Sequence, residues 1–133
     1  MKRVNFLRVV KFAVILFLFH FIIGLLSPSY NDLESEGARI FASAFQYLIE
    51  AVGIAAIFYI HAKLQCNMLY IHVACVFILY QIITLSLSFA LFGQLATVST
   101  TEFILDWIVF GVSVVVGTEI GRRLKGSTKF ESI

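Results

Sequence analysis

The sequence has little charge, one proline and two cysteines, and each of these shortages excludes a class of protein. Charged residues make up 14% of the 133 residues, compared with about a quarter in an ordinary soluble domain. The single proline, Pro28, and the lack of a serine- or glycine-rich linker give no sign of a second domain. Two cysteines, Cys66 and Cys75, are too few for a disulfide scaffold, so we expect two free thiols.

Catalytic signatures are missing as well. The sequence contains no nucleophile elbow, P-loop, dinucleotide fingerprint, H-E-x-x-H or C-x-x-C motif. The polar segments between the apolar runs are too short to hold a catalytic domain. We therefore expect a protein that is not an enzyme, carries no cofactor and binds no nucleic acid, since anionic lipid accounts for the basic residues at its two ends.

What the chain has in abundance is apolar surface. Its residues are 60% hydrophobic and its mean hydropathy is +0.95. A domain this small keeps much of its surface in water, so it cannot hide so many apolar side chains. Four runs approach the roughly 20 apolar residues that cross a bilayer, at about residues 8–27, 40–62, 68–93 and 102–121. They predict an all-α polytopic membrane protein, with one membrane domain over residues 1–133 folded as a four-transmembrane-helix up-down bundle.

Local signals mark the ends of these runs. Pro28 stops the first run, and residues 63–67 form a short polar hinge between the second and the third. Ser99 and Glu102 have the spacing of a capping box before the fourth run. Gly121, which is followed by two arginines, predicts that the fourth helix leaves the membrane near this residue.

The basic residues are distributed unevenly between the two ends of the predicted spans. Lysine and arginine favour the cytoplasmic side of a membrane. Nine of the ten fall on one side if the chain weaves, and only Arg39 falls on the other. The nine are Lys2, Arg3, Arg8, Lys11, Lys63, Arg122, Arg123, Lys125 and Lys129. This split predicts a multi-pass membrane protein with both termini in the cytoplasm (N-in/C-in).

Each predicted span carries small or polar residues at helical spacing, opposite a face of large apolar residues. These stripes place His20, Gln46, Glu50 and Gln81 within about one turn of the middle of the spans, and Asp106 nearer the outer face. An isolated glutamate at the bilayer centre costs about 2.5–3.5 kcal/mol. Glu50 lowers that cost by staying protonated or by pairing with His20, and in either case we expect it to face the bundle interior.

Two interpretations of this polar layer stay open. In the functional interpretation, the layer handles protons or ions or forms a pocket for a small ligand. In the structural interpretation, its side chains form hydrogen bonds that hold the helices together. Such bonds average only about 0.6 kcal/mol, which does not easily explain a glutamate at this depth. For Asp106 a structural role is favoured, because a carboxylate near a helix N-terminus interacts well with the helix dipole.

The fourth span also carries a ridge of small residues, Ser113, Gly117 and Gly121, spaced four apart. Lipid tails give helices no hydrophobic reason to associate, and small residues let two backbones approach each other. The ridge therefore predicts a close helix contact, either within the protomer or between copies.

Two further histidine groupings would suit a cofactor or a metal. His20 and His72 are candidates for haem ligands. His61, His72 and Glu119 are candidates for a metal site, because all three lie toward the inner face. Nothing in the spacing demands that these side chains converge, so we expect neither a haem nor a metal. His72 is better interpreted as an interfacial histidine, and Glu119 as a partner of Arg122 or of the next arginine.

In its layout the chain resembles small four-span bacterial inner-membrane proteins such as the phosphate-starvation-inducible PsiE group. The common features are a short N-in chain, a glutamate in the second span and a basic tail after the fourth, here Arg122-Arg123-Leu124-Lys125. The likeness is one of layout and implies no site residues.

The function predicted first is that of a small integral membrane protein acting by helix-mediated binding, as an accessory, regulatory or immunity-type module. Its expected partners are the lipid bilayer and either another membrane protein or a second copy of itself. The alternative is a small oligomeric proton-coupled transporter or channel with Glu50 and His20 as its protonatable centre. A further alternative is a haem- or quinone-binding subunit of an electron-transfer complex.

Overall fold

The computed structural model describes residues 4–27, 33–64, 67–92 and 100–127. Within these ranges the chain forms four α-helices: α1 (Phe6–Leu26), α2 (Glu36–Leu64), α3 (Leu69–Phe92) and α4 (Thr100–Ser127). All four are long and apolar enough to cross a membrane. The prediction of an all-helical chain with four helices of spanning length is thereby confirmed for the described residues.

Side chains near the helix ends satisfy exposed backbone groups. The Asn5 side-chain oxygen accepts a hydrogen bond from the Arg8 N–H at 3.2 Å and caps α1. At the start of α2, Ser35 Oγ accepts one from the Ala38 N–H at 3.1 Å. Ser27 ends α1 with extended backbone, which is the conformation that a residue before proline prefers.

The predictions for the two ends of α4 both stay open. Ser99 and the side chain of Glu102 lie outside the described residues, so the capping box stays a prediction. The predicted exit from the membrane near Gly121 stays a prediction, and α4 itself continues for six more residues. Gly121 is an interior packing residue, and Arg122 just after it pairs with Glu119 of the same helix at 2.7 Å.

Consecutive helices run in opposite directions. Where two consecutive helices are in contact, the residue numbers of the contacting pairs increase along one helix and decrease along the other. The pairs are Arg8–Leu64 and Phe12–His61 between α1 and α2, and Tyr70–Glu119 and Tyr80–Phe110 between α3 and α4. The chain therefore weaves from one end of the bundle to the other.

The most extensive helix contact is nevertheless between two parallel helices, α2 and α4. Gly117 packs against Ala55, and one turn later Gly121 packs against Tyr59. The α1–α3 contact is next in extent and also joins helices of the same direction. In a simple up-down bundle the antiparallel neighbours pack most closely, so the order of the helices around this bundle is a finding that the sequence pattern did not predict.

The interior differs between the two halves of the bundle. Toward the start of α1 it is a close-packed apolar core. Its buried members include Val9, Phe12, Ala13, Leu16, Ile54, Phe58 and Val76. Beyond Ile54, toward the start of α2, helices α3 and α4 meet through large aromatic rings and a cavity remains between the helices. The packed half thus forms a floor beneath the open half.

Large apolar side chains cover the outside of the helices. Leu7, Leu26 and Phe41 are 80%, 74% and 74% exposed. In the most apolar 18-residue window of α2, only 6% of the residues are buried. Internal packing therefore does not account for the apolar composition.

Candidate functional site

A cavity of about 510 Å³ lies in the open half of the bundle, and all four described helices contribute to its lining. The five side chains predicted for a ligand or proton site all line it: His20 from α1, Gln46 and Glu50 from α2, Gln81 from α3 and Asp106 from α4. The structure thus brings them together around one space. The positions of these side chains do not show which molecule the cavity binds, so a binding role for the cavity stays a prediction.

The two carboxylates lie at different depths of the cavity. Gly117 packs at the level of Ala55, and α2 and α4 run parallel, so counting back along both helices places Asp106 level with Ala44. At about 1.5 Å per residue, Asp106 is roughly 9 Å nearer than Glu50 to the end of the bundle where α2 begins.

Exposed side chains surround the mouth of the cavity, and buried ones close its floor. Phe103 and Trp107 are 55% and 44% exposed, and Asp106 between them is exposed as well. Ile54 and Phe110 are 1% and 8% exposed. Within the described ranges, the lining is therefore exposed toward the end where α2 begins and buried toward the packed half.

Glu50 and His20 each bond within their own helix. Gln46 Nε2 donates to Glu50 Oε1 at 2.9 Å, across one turn of α2. His20 Nδ1 lies 2.9 Å from the Leu16 carbonyl oxygen. That oxygen can only accept, so Nδ1 carries the hydrogen and the neutral ring has its lone pair on Nε2.

The direct pairing of Glu50 with His20 is not found among the hydrogen bonds of the described residues. Both groups are satisfied locally, Glu50 by an amide one turn away and His20 by a backbone carbonyl. The cavity consequently holds a half-buried carboxylate and a half-buried imidazole that are separate polar centres.

Aromatic rings complete the lining, and the polar pattern did not predict them. They are Tyr47, Tyr80, Phe103, Trp107 and Phe110. Tyr80 and Phe110 stack at 5.5 Å between ring centroids, and His20 lies 5.2 Å from the first and 5.9 Å from the second. A signal for these rings is present in the sequence, because three of them adjoin a predicted polar residue: Gln46-Tyr47, Tyr80-Gln81 and Asp106-Trp107.

The lining is acidic. Glu50 and Asp106 both line the cavity, and the described lining contains no lysine or arginine. The explanation of Asp106 by the helix dipole is not supported. Asp106 is the seventh residue of α4, and the dipole acts within the first turn.

The ridge of small residues on α4 faces α2 of the same chain. A Cβ on Gly117 would overlap the Ala55 carbonyl oxygen, and one on Gly121 would come within 2.6 Å of the Tyr59 carbonyl oxygen. Ser113 is buried, and its Oγ donates to the Val109 carbonyl at 2.6 Å. Of the two contacts that the ridge predicts, the structure contains the one within the protomer.

Two histidines form a second polar group at the packed end. His61 and His72 are fully buried, with ring centroids 6.3 Å apart, and the Asn5 N–H donates to His72 Nε2 at 3.1 Å. The ring of His72 thus points into the bundle, and its predicted depth at a membrane interface stays a prediction. At about 1.5 Å per residue, His20 lies roughly 22 Å along α1 from Asn5, so His20 and His72 do not face each other as haem ligands would.

Glu119 does not join the predicted group with His61 and His72. Its carboxylate accepts from Tyr70 Oη and pairs with Arg122 at 2.7 Å. The predicted pairing with Arg122 is thus confirmed. In the part of the chain that the structure describes, no three His, Cys, Asp or Glu side chains form a group that would hold a metal ion. Of the cysteines, Cys75 is a free thiol, and Cys66 lies outside the described residues.

Comparisons of the chain with protein-family models, with curated proteins and with solved structures find no match. The geometry and chemistry of the cavity therefore carry the functional assignment.

Proposed function

We propose that this chain is a multi-pass protein of a bacterial inner (plasma) membrane, with both termini in the cytoplasm, that carries a small solute in its cavity and exchanges a proton at Glu50. It is a proton-coupled transporter or channel, and not an enzyme. The observation that supports this most directly is the convergence of polar side chains from all four helices on one cavity at mid-span. A purely structural polar layer would be sealed by its neighbours, as the core below it is.

The distribution of charge supports the orientation. Arg8, Lys63 and Arg122 lie at the packed end of the bundle, where Arg8 donates to the Leu64 carbonyl at 2.8 Å. Arg39 lies at the other end. Since positive residues favour the cytoplasmic side, the packed end faces the cytoplasm and the cavity opens to the outside.

Passage to the cytoplasm requires a change in the packed half. The floor of the cavity continues into Leu16, Phe58 and His61, which are all fully buried. Four helices rarely enclose a pathway by themselves, so we propose that a second copy contributes to it. The exposed apolar faces of the helices provide surface both for that contact and for lipid.

The helix-mediated accessory role predicted first stays a prediction. Its candidate surface was the ridge at Gly117 and Gly121, and α2 occupies that ridge within the protomer. A partner protein would have to use another face. A haem- or quinone-binding role also stays a prediction, and the separation of His20 from His72 does not favour the haem.

Reconstitution into liposomes tests the proposal. A membrane potential would be imposed on vesicles that enclose a pH-sensitive dye, in the absence and in the presence of added solutes. We expect protein-dependent proton flux that is lost in Glu50→Gln. Glu36→Gln is the matched control, since it removes one exposed carboxylate outside the cavity. Equal flux in Glu50→Gln and the unaltered protein would contradict the assignment of Glu50.

A further inference from the structure

We propose that the cavity takes a small organic cation, with quaternary or delocalised charge, in preference to a neutral or anionic molecule of the same size. This ligand class rests on the function proposed above and specifies the solute. Three features of the lining point to it: its charge, its aromatic rings and its volume.

A carboxyl group lines the cavity at both depths. Asp106 lies nearer the mouth and Glu50 roughly 9 Å deeper, and no lysine or arginine is among the described lining residues. Arg39, the basic residue at this end of the described chain, is exposed and donates through Nε to the Leu33 carbonyl at 3.1 Å. A cation is therefore attracted at the mouth and again at depth, whereas an anion is repelled at both.

The aromatic rings favour a cation that sheds its water. Aromatic faces attract cations, tryptophan most strongly, and they recognise quaternary ammonium groups in this way. The rings of Phe77 and Trp107 are nearly perpendicular, with centroids 5.4 Å apart, and the centroid of Phe103 lies 5.8 Å from that of the indole. The indole is thus held in place in the lining that it shares with Asp106.

The volume favours a molecule over a metal ion. A space of about 510 Å³ is within the range of small-molecule sites. Calcium and magnesium take about six to eight oxygen ligands at close range, whereas the two carboxylates here are separated in depth. An organic cation instead meets them in succession, first Asp106 and then Glu50.

A matched pair of probes separates charge from shape. Benzyltrimethylammonium is quaternary, and neopentylbenzene has a carbon in place of its nitrogen. Each would be titrated into the full-length protein in phosphatidylcholine nanodiscs. Trp107 is the only tryptophan of the chain and lines the cavity, so its emission reports on this site. We expect a saturable change with the cation and none with the neutral molecule.

Charge-removing variants locate the binding. Glu50→Gln is expected to raise the Kd of the cation at least about tenfold, and Asp106→Asn by a smaller factor. Glu36→Gln, at the same end of the protein but outside the cavity, is expected to leave Kd within about twofold. If Glu50→Gln fails to fold, as judged by circular dichroism and gel filtration, Asp106→Asn provides the test, because Asp106 is exposed.

The outcomes distinguish the ligand class from the proposed function. Equal affinity for neopentylbenzene, or an unchanged Kd in both cavity variants, overturns the preference for a cation. Proton flux that depends on Glu50 without any binding of the cation rejects the ligand class and leaves the proposed function standing. The absence of both rejects the two together.

Discussion

Gly117 packs directly against the carbonyl oxygen of Ala55, so that α2 and α4 meet backbone to backbone. This contact sets the register between the two helices. The register in turn determines how far along the cavity Asp106 lies from Glu50. A small residue in the packed half of the bundle therefore controls the placement of both carboxylates in the open half.

Enlarging Gly117 is expected to destabilise the protein. In Gly117→Ala the new Cβ would overlap the Ala55 carbonyl oxygen, and a backbone group cannot move aside as the end of a side chain can. Overpacking of this kind costs about 1–3 kcal/mol. Thermal unfolding in detergent, followed by circular dichroism, measures the loss.

Gly111→Ala is the matched control for this measurement. It lies on the same helix, nothing lies within 4 Å of a Cβ at that position, and alanine is the better helix former. We expect an unchanged or slightly higher melting temperature. Equal melting temperatures for the two variants would contradict the close approach of α2 and α4.

Replacing each buried histidine by leucine, which has a similar volume, is expected to change the melting temperature in opposite directions. Both ring nitrogens of His61 lack a hydrogen-bond partner among the described residues, and an unpaired buried polar group costs about 1–3 kcal/mol. His61→Leu should therefore keep or raise the melting temperature. His72→Leu should lower it, since His72 Nε2 accepts the Asn5 N–H. If the melting temperature falls more in His61→Leu than in His72→Leu, the His61 ring has a hydrogen-bond partner, and the prediction is contradicted.

The polar residues of the cavity could be predicted because lipid penalises them. A charged or polar side chain at mid-span is costly outside the bundle, so His20, Glu50 and Gln81 had to face inward. Tyrosine and tryptophan are under no such constraint, since they are also stable at the membrane interface. Tyr47 and Trp107 therefore gave no independent signal, although each adjoins a polar residue that did.

The choice of neighbouring helices could not be predicted for a related reason. Lipid provides no hydrophobic drive that would pair one helix with another. The ridge on α4 indicated a close partner without naming it. That partner is α2, where Ala55 and Ala62 leave the backbone accessible to Gly117 and Gly121.

Both termini are expected on the cytoplasmic side of the membrane. Arg8, Lys63 and Arg122 lie at one end of the described bundle, and Arg39 lies at the other. A reporter that fluoresces only in the cytoplasm should therefore be active when it is fused to either terminus. The same reporter inserted between α1 and α2 should be inactive. Opposite results at the two termini would contradict the N-in/C-in orientation.

Gln46 is expected to position Glu50 for the cation. Its Nε2 donates to Glu50 Oε1 at 2.9 Å across one turn of α2. In Gln46→Leu that hydrogen bond is lost, so the Kd of benzyltrimethylammonium should rise by about threefold or more. Titration followed by Trp107 emission measures the Kd.

Gln81→Leu separates the Gln46–Glu50 bond from the general polarity of the cavity. Gln81 lines the same cavity from α3, whereas the bond to Glu50 comes from α2. We expect the Kd of the cation to rise less in Gln81→Leu than in Gln46→Leu. Equal rises in both variants would mean that overall polarity, and not the amide donor of Gln46, governs the binding of the cation.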